Sequence, residues 1–263
     1  MENNVRLPLK IGVALLFVFL LVPVLVVVPL AFSGETSLRF PPSSFGLRWF
    51  GEFFGNARML AGLRASALLG SIVTVVTLLV ALPAAYVIVR MKNTATEILY
   101  NVFTAPLLLP TIVLGLAILI SFAATGLLGS YTAIALGHLV LTLPYALRIL
   151  ATALGGVPLL LEEAAGTLGA RPFTVFRRIT LPLLAPGLLS AAALSFLVSF
   201  DEIVITLFLA GPRVTTLPVE MFRRLDSRSD PMIAAVSVIM IMLTLSVVLI
   251  VQRTVGLTRS FVR

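Results

Sequence analysis

The stretch from Ile98 to Leu147 contains no Asp, Glu, Lys or Arg, and this absence of charge constrains the fold more than any other feature. A helix needs about 20 apolar residues to cross a membrane, so the stretch has room for two such helices. The glycine-rich segment ATGLLGSY at 124–131 predicts the turn between them. Of all residues, 59% are hydrophobic and only 11% are charged, against about 25% charged in soluble domains. Much of the chain must therefore be solvated by lipid.

Other windows without charge predict four more spanning helices. We therefore predict an all-α membrane protein with six transmembrane helices, forming a single domain over residues 1–263. The first window follows Arg6 and Lys10, as in a secretory signal peptide, but its apolar run is too long and no clear small-residue cleavage site follows it, so we expect it to be retained. The predicted spans are about 11–32, 65–89, 98–123, 129–147, 183–208 and 232–252.

The basic residues predict the orientation, because cytoplasmic loops carry an excess of them. With a cytoplasmic amino terminus, eleven of the 19 basic residues lie inside and eight lie in the outer loops, which are long and count less. We predict that both termini are cytoplasmic. Because basic residues are scattered between apolar runs, no nucleic-acid partner is expected. The inner set is Arg6, Lys10, Arg90, Lys92, Arg148, Arg171, Arg177, Arg178, Arg253, Arg259 and Arg263, and the outer set is Arg39, Arg48, Arg58, Arg64, Arg213, Arg223, Arg224 and Arg228.

The first outer loop, residues 33–64, is rich in aromatic side chains. Such residues are typical of a short helix lying at the membrane interface. We interpret them as anchors, with a surface for a partner protein as the alternative. They are Phe45, Trp49, Phe50, Phe53 and Phe54.

A polar segment, LEEAAGTLGARPFTVFRRITLP at 161–182, interrupts the apolar runs. Pro158 suits the first turn of a helix that carries Glu162 and Glu163 near the positive end of its dipole. Gly169 can adopt the left-handed conformation that ends a helix. A second helix is predicted from Pro172 until Leu181-Pro182 ends it. The segment is thus predicted to form two short helices on the membrane surface.

The spacing within this segment resembles the EAA loop of the inner-membrane permease subunits of bacterial binding-protein-dependent ABC importers. In that family the loop is a coupling helix that fits a cleft on the ATP-binding subunit and transmits its movement to the membrane helices. The resemblance implies this role for residues 158–182 and no resident cofactor. The matching positions are Glu163, Ala164, Ala165, Gly169, Ile179, Leu181 and Pro182.

Further segments, at 81–92, 106–118, 137–148 and 199–212, are similar to the spermidine/putrescine branch of this family. The similarity covers roughly residues 60–255. It implies a polyamine substrate, a dimer of ATP-binding subunits, a substrate-binding protein outside the cell, and a second, different permease subunit in the inner membrane. Importers of iron, phosphonate, sulfate and sugars share parts of these segments, so their solutes remain alternatives.

The chain lacks a phosphate-binding loop and the G-x-S-x-G and H-E-x-x-H motifs of hydrolytic enzymes. Its only lysines, Lys10 and Lys92, follow Leu9 and Met91 rather than the glycine of a phosphate-binding loop, so ATP hydrolysis is assigned to a partner subunit. There is no Cys, so a Cys-based metal site or nucleophile is excluded. The single histidine, His138, lies in an apolar helix, where we expect a packing role rather than a ligand role.

Asp201 and Glu202 form an acidic pair near the end of the fifth predicted span. Because the apolar run at 203–210 follows them, we expect both on one continuous helix, about 100° apart. One would line the path of a cationic substrate while the other pairs with an arginine; a structural role is the alternative.

Two other classes of protein remain as alternatives to an importer subunit. An intramembrane enzyme would need this acidic pair as its catalytic residues, and a self-contained six-helix secondary transporter would need an ion site and usually an internal repeat. No convincing repeat is found.

Overall fold

A computed structural model describes residues 2–212, 214–228 and 230–255, and the regular secondary structure in these ranges is helical. A 3₁₀ turn, Ala105–Leu108, follows α4, and a π-helical turn, Phe176–Thr180, follows α8. Three of the basic residues from which the orientation is predicted, Arg213, Arg259 and Arg263, lie outside the described residues. The α-helices are α1 (Glu2–Ala31), α2 (Arg48–Gly55), α3 (Ala57–Met91), α4 (Thr94–Thr104), α5 (Thr111–Ala123), α6 (Tyr131–Gly155), α7 (Leu159–Thr167), α8 (Pro172–Val175), α9 (Leu181–Phe200), α10 (Val204–Leu209), α11 (Leu217–Ser227) and α12 (Met232–Val255).

Within the described ranges, five helical segments are long and apolar enough to cross a membrane. A sixth crossing results if the bent pair formed by Thr94–Leu108 and Thr111–Ala123 counts as one span. These helices confirm the prediction of an all-α membrane protein. The five segments are Leu9–Ala31, Ala57–Met91, Tyr131–Gly155, Pro172–Phe200 and Met232–Thr254.

The third predicted span, 98–123, differs from the prediction because it is not one straight helix. Its two parts meet at a bend of 107° between Leu108 and Thr111. Pro110 has no backbone N–H and disfavours a helical conformation of Leu109, which is extended here (ψ 137°). The glycine-rich turn that follows forms where it was predicted, with Gly126 and Gly129 at φ +70° and +74°.

The helix that leads into the fifth span also differs from the prediction. Leu181-Pro182 was expected to end it, but the helical segment runs unbroken from Pro172 to Phe200. The π-helical turn before Pro182 widens the hydrogen bonding by one residue, so that the N–H of Leu181 donates to the carbonyl of Phe176. We attribute the continuity to this wider turn, which accommodates a proline that lacks a donor and would crowd a regular α-turn.

Backbone contacts divide the chain into two compact units, the first comprising Met1–Leu60 and Met221–Leu243 and the second Ala61–Glu220 and Thr244–Arg263. In the first unit, Trp49 is buried and its indole N–H donates to the carbonyl of Glu35 over 3.0 Å. Phe53 on the same helix, α2, is buried too, whereas Phe54 is exposed. The buried aromatics of this loop therefore stabilise the fold rather than lie on its surface.

The second unit has a core of small and aliphatic side chains on α3, α6 and α9. Its buried members include Ala85, Leu147 and Leu184. Helices α6 and α9 approach closely at Gly187, where an added Cβ would collide with Ala153. Small residues at such contacts let helix backbones pack closely where lipid supplies no hydrophobic driving force.

A second core cluster in the same unit packs α10 against α5 and α6. Gly137 of α6 faces Ile205 and Leu209, and Gly115 of α5 faces Phe208. At each glycine an added Cβ would come closer than 3 Å to these side chains. The two glycines therefore make room for the short helix α10.

Candidate functional site

The polar segment 161–182 forms two helical parts joined by a tight turn. Helix α7 stops at Gly169, which has φ +82°. The N–H of Gly169 donates to the carbonyl of Gly166 over 2.9 Å, and the N–H of Ala170 donates to that of Ala165 over 3.1 Å. These bonds across a left-handed residue satisfy carbonyls that the helix end would otherwise leave without partners. Gly169 thus has the conformation expected from the sequence.

Most of the EAA-like positions lie on the surface of this segment. Glu163, Ala164 and Gly169 are exposed, and Ala165 is partly exposed. In the second part, Pro182 is exposed while Ile179 and Leu181 are half-buried. Helix α7 packs against both α8 and the π-helical turn, so the two parts form one compact projection. We call residues 158–182 the coupling loop.

Glu162 lies next to Glu163 but is buried, with 8% of its side chain exposed. Its carboxylate accepts hydrogen bonds from Arg90 Nη2 at 2.6 Å, Thr180 Oγ1 at 2.9 Å and the Tyr86 hydroxyl at 3.2 Å. The sequence predicted only a dipole interaction for Glu162. Its partners on α3 lie 72 and 76 positions away, so no local pattern could have identified them.

The acidic pair lies in a break of the fifth span rather than on a continuous helix. Helix α9 ends at Phe200, and α10 begins at Val204. Glu202 Oε1 accepts a hydrogen bond from the N–H of Ile205 over 2.9 Å and so caps the first turn of α10. The predicted continuous span 183–208 and the 100° separation are therefore wrong. The expected pairing with an arginine is not found among the described residues either, and Asp201 is exposed.

His138 holds the two sides of this break together. It is fully buried, with Nδ1 2.9 Å from Ser199 Oγ at the end of α9 and Nε2 2.8 Å from Thr206 Oγ1 in α10. The Thr206 hydroxyl donates to the carbonyl of Glu202, so it can accept from Nε2–H. A neutral imidazole with its proton on Nε2 therefore satisfies the hydrogen bonding of all three side chains, because Nε2–H donates to Thr206 and the Ser199 hydroxyl donates to Nδ1. We assign this tautomer from the hydrogen bonds, and it gives His138 the packing role expected from the sequence.

Comparison with known proteins agrees with this architecture. Residues 74–256 match the family described as the binding-protein-dependent transport system inner membrane component. The putrescine transport system permease protein PotI of Escherichia coli is 30% identical over 245 residues, which cover 90% of this chain and 87% of PotI. The molybdenum transport system permease protein ModB of Mycobacterium tuberculosis is 36% identical over 192 residues, covering 67% of this chain and 72% of ModB.

The fold is also similar to that of a solved structure, a bacterial ABC transporter involved in the import of the acidic polysaccharide alginate. The two chains superpose with a TM-score of 0.74 at 12% identity, covering 100% of this chain and 97% of the other. The family match extends over more than half of the chain and includes the coupling loop and the break before α10. The chain therefore belongs to the binding-protein-dependent inner-membrane components of ABC importers, in which it is a permease subunit rather than an enzyme and works with an ATPase and a substrate-binding protein.

Proposed function

We propose that this permease subunit carries a polyamine such as putrescine or spermidine. The observation that supports this substrate most is the 30% identity to a putrescine permease over 90% of the chain. The molybdenum permease matches a smaller share, 67%. The acidic break before α10 supplies a chemical reason as well, because a polyamine is a cation at neutral pH and carboxylates attract it.

Within this proposal, Asp201 and Glu202 face the translocation path. A carboxylate at the centre of a membrane helix costs about 2.5–3.5 kcal/mol on insertion scales, so such groups usually face a cavity or a partner. Asp201 is exposed, and Glu202 is half-buried with one oxygen used to cap α10. The pair therefore offers negative charge at a place where the helix is already open.

The proposed contact with the ATPase subunit is the coupling loop. Its support is the exposure of Glu163, Ala164 and Gly169 and the compact packing of α7 on the segment that leads into α9. A rigid projection continuous with a spanning helix is suited to carry movement from the ATPase into the membrane. The remaining positions proposed to contribute are Ala165, Ile179, Leu181 and Pro182.

We also propose that the chain forms one transmembrane domain with six crossings and cytoplasmic termini, and that it pairs with a second, different permease subunit. The exposed bend of the third span agrees with such a pairing, since 84% of Leu108 is exposed. Non-helical backbone at membrane depth is tolerated only where protein covers it or where it lines a water-filled cavity.

Transport in proteoliposomes tests the substrate. The permease would be reconstituted with its ATPase, its binding protein and each candidate second permease, and ATP-driven accumulation of radiolabelled putrescine, spermidine and molybdate would be compared. We expect accumulation of a polyamine that requires both ATP and the binding protein. Accumulation of molybdate but of neither polyamine, or of none of the three solutes, would overturn the polyamine assignment. Uptake without any ATPase would overturn the use of ATP.

A further inference from the structure

The two neighbouring glutamates of the coupling loop have opposite environments. Glu163 is exposed, whereas the side chain of Glu162 is only 8% exposed and bonds to α3 and to the π-helical turn. Side chains at consecutive helical positions point about 100° apart, so one can face a partner while the other faces the protein. Only Glu163 belongs to the family-like spacing, and nothing in that spacing gives Glu162 a role.

Glu162 joins three separate parts of the second unit. Tyr86 and Arg90 belong to the end of α3, Glu162 to α7, and Thr180 to the π-helical turn that continues into α9. We call these four residues the Glu162 anchor. All four side chains are at least partly buried, so water does not compete freely for these hydrogen bonds.

Arg90 holds the start of the coupling loop through a second hydrogen bond. Besides pairing with Glu162, its Nη2 donates to the carbonyl of Val157, just before α7, over 3.3 Å. Only 13% of the Arg90 side chain and 8% of the Glu162 side chain are exposed. Removing one member of a buried pair leaves the other charge without compensation, so the two residues act as a unit.

We propose that the Glu162 anchor transmits displacement of the coupling loop to α3 and α9. This inference rests on the proposed coupling role of the loop. It identifies the contacts inside the permease through which the loop would move the membrane helices. Because one carboxylate is bonded to both helices, α7 cannot move without displacing them or breaking these bonds. Glu162 is thus a positioning residue, while Glu163 belongs to the face that contacts the ATPase.

The ratio of uptake to ATP hydrolysis in the reconstituted importer, with putrescine as the probe, tests this division. In Glu162→Gln we expect the ATPase subunit to remain bound and to hydrolyse ATP, while the uptake-to-hydrolysis ratio falls by about tenfold, within the usual range of coupling effects. In Glu163→Gln we expect weaker binding of the ATPase, with uptake and hydrolysis falling together. Glu97→Gln, at an exposed acid of α4 outside the loop, is the control and should leave the ratio unchanged.

A merely structural role predicts a different outcome, since loss of folded permease would lower uptake and hydrolysis in parallel. An unchanged ratio in Glu162→Gln would therefore overturn the anchor. Arg90→Gln should reproduce the effect, and the double variant Arg90→Gln with Glu162→Gln should be no worse than either single variant because they share one interaction. Additive losses in the double variant would also overturn it. Failure of the coupling-loop proposal is distinct, because it would show as normal uptake in variants of the exposed face.

Discussion

At the scale of single residues, Gly169 decides whether the coupling loop keeps its shape. Its φ of +82° is unfavourable for most side chains by about 1–2 kcal/mol, but no heavy atom lies within 4 Å of the position that a Cβ would occupy. We expect Gly169→Asp to abolish ATP-driven uptake while the chain still inserts stably, because a charge and a strained turn are added to the surface that is proposed to contact the ATPase. Gly169→Asn is the control of equal size, and it should retain part of the uptake because it lacks the charge. Normal uptake in Gly169→Asp with the ATPase bound would contradict the coupling role.

His138 offers a second test at this scale, one of stability. In His138→Leu the Ser199 hydroxyl loses its acceptor and Thr206 Oγ1 loses a donor, both in a buried site. Thr206 keeps its bond to the carbonyl of Glu202, but the buried Ser199 hydroxyl is left without its partner. An unsatisfied buried group costs about 1–3 kcal/mol, so the thermal unfolding midpoint in detergent should fall. His138→Gln keeps one donor and one acceptor and should fall less. An unchanged midpoint in His138→Leu would show that these bonds contribute nothing.

These residues also show which site features the sequence could predict. The turn at Gly169 depends on neighbours along the chain, so spacing alone predicted it. The bonds of Glu162 with Arg90 and of His138 with Ser199 join positions 72 and 61 apart, and they exist only because helices pack together. Hydropathy carries no information about such pairs.

At the scale of elements, charge-free windows located the apolar helices but not their breaks. A window records that a segment is apolar, and it remains apolar whether the helix is straight or bent. Pro110 was a usable signal for the bend of the third span. The acidic pair before α10 was interpreted as lying within a helix, although Glu202 can equally cap a new one. Nothing in the sequence indicates the π-helical turn before Pro182, because a proline at that position predicts the end of a helix.

Two substitutions of Glu202, in the break before α10, distinguish the effect of its charge from the effect of its cap on α10. Glu202→Gln keeps an oxygen that can accept from the Ile205 N–H but removes the charge, so we expect normal folding and weaker putrescine uptake. Glu202→Leu removes both and should also destabilise the protein by about 0.5–2 kcal/mol, the usual cost of a lost cap. Asp201→Asn should weaken uptake without affecting assembly with the ATPase. Wild-type uptake in Asp201→Asn, Glu202→Gln and the double variant would leave only a structural role for the pair.

At the scale of the whole molecule, composition is enough to identify a membrane protein, because only lipid can solvate so much apolar surface. The number of crossings does not follow, since the bent pair is either one span or a re-entrant loop. These alternatives place every later segment on opposite sides of the membrane. The proposed contact of the coupling loop with an ATPase in the cytoplasm requires that the bent pair crosses the membrane if the amino terminus is cytoplasmic.

Reporter fusions along the chain therefore test the six-crossing topology. We expect fusions at Lys92 and Arg171 to report the cytoplasm and fusions near Trp49 and Arg224 to report the outside. A re-entrant pair would leave Lys92 and Trp49 unchanged but would invert Arg171 and Arg224, because each of these follows the bend. Inversion of Lys92 and Trp49 as well as Arg171 and Arg224 would instead overturn the orientation of the whole chain. The first two fusions are thus the control for the last two, and Arg171 alone decides whether the coupling loop faces the compartment that holds ATP.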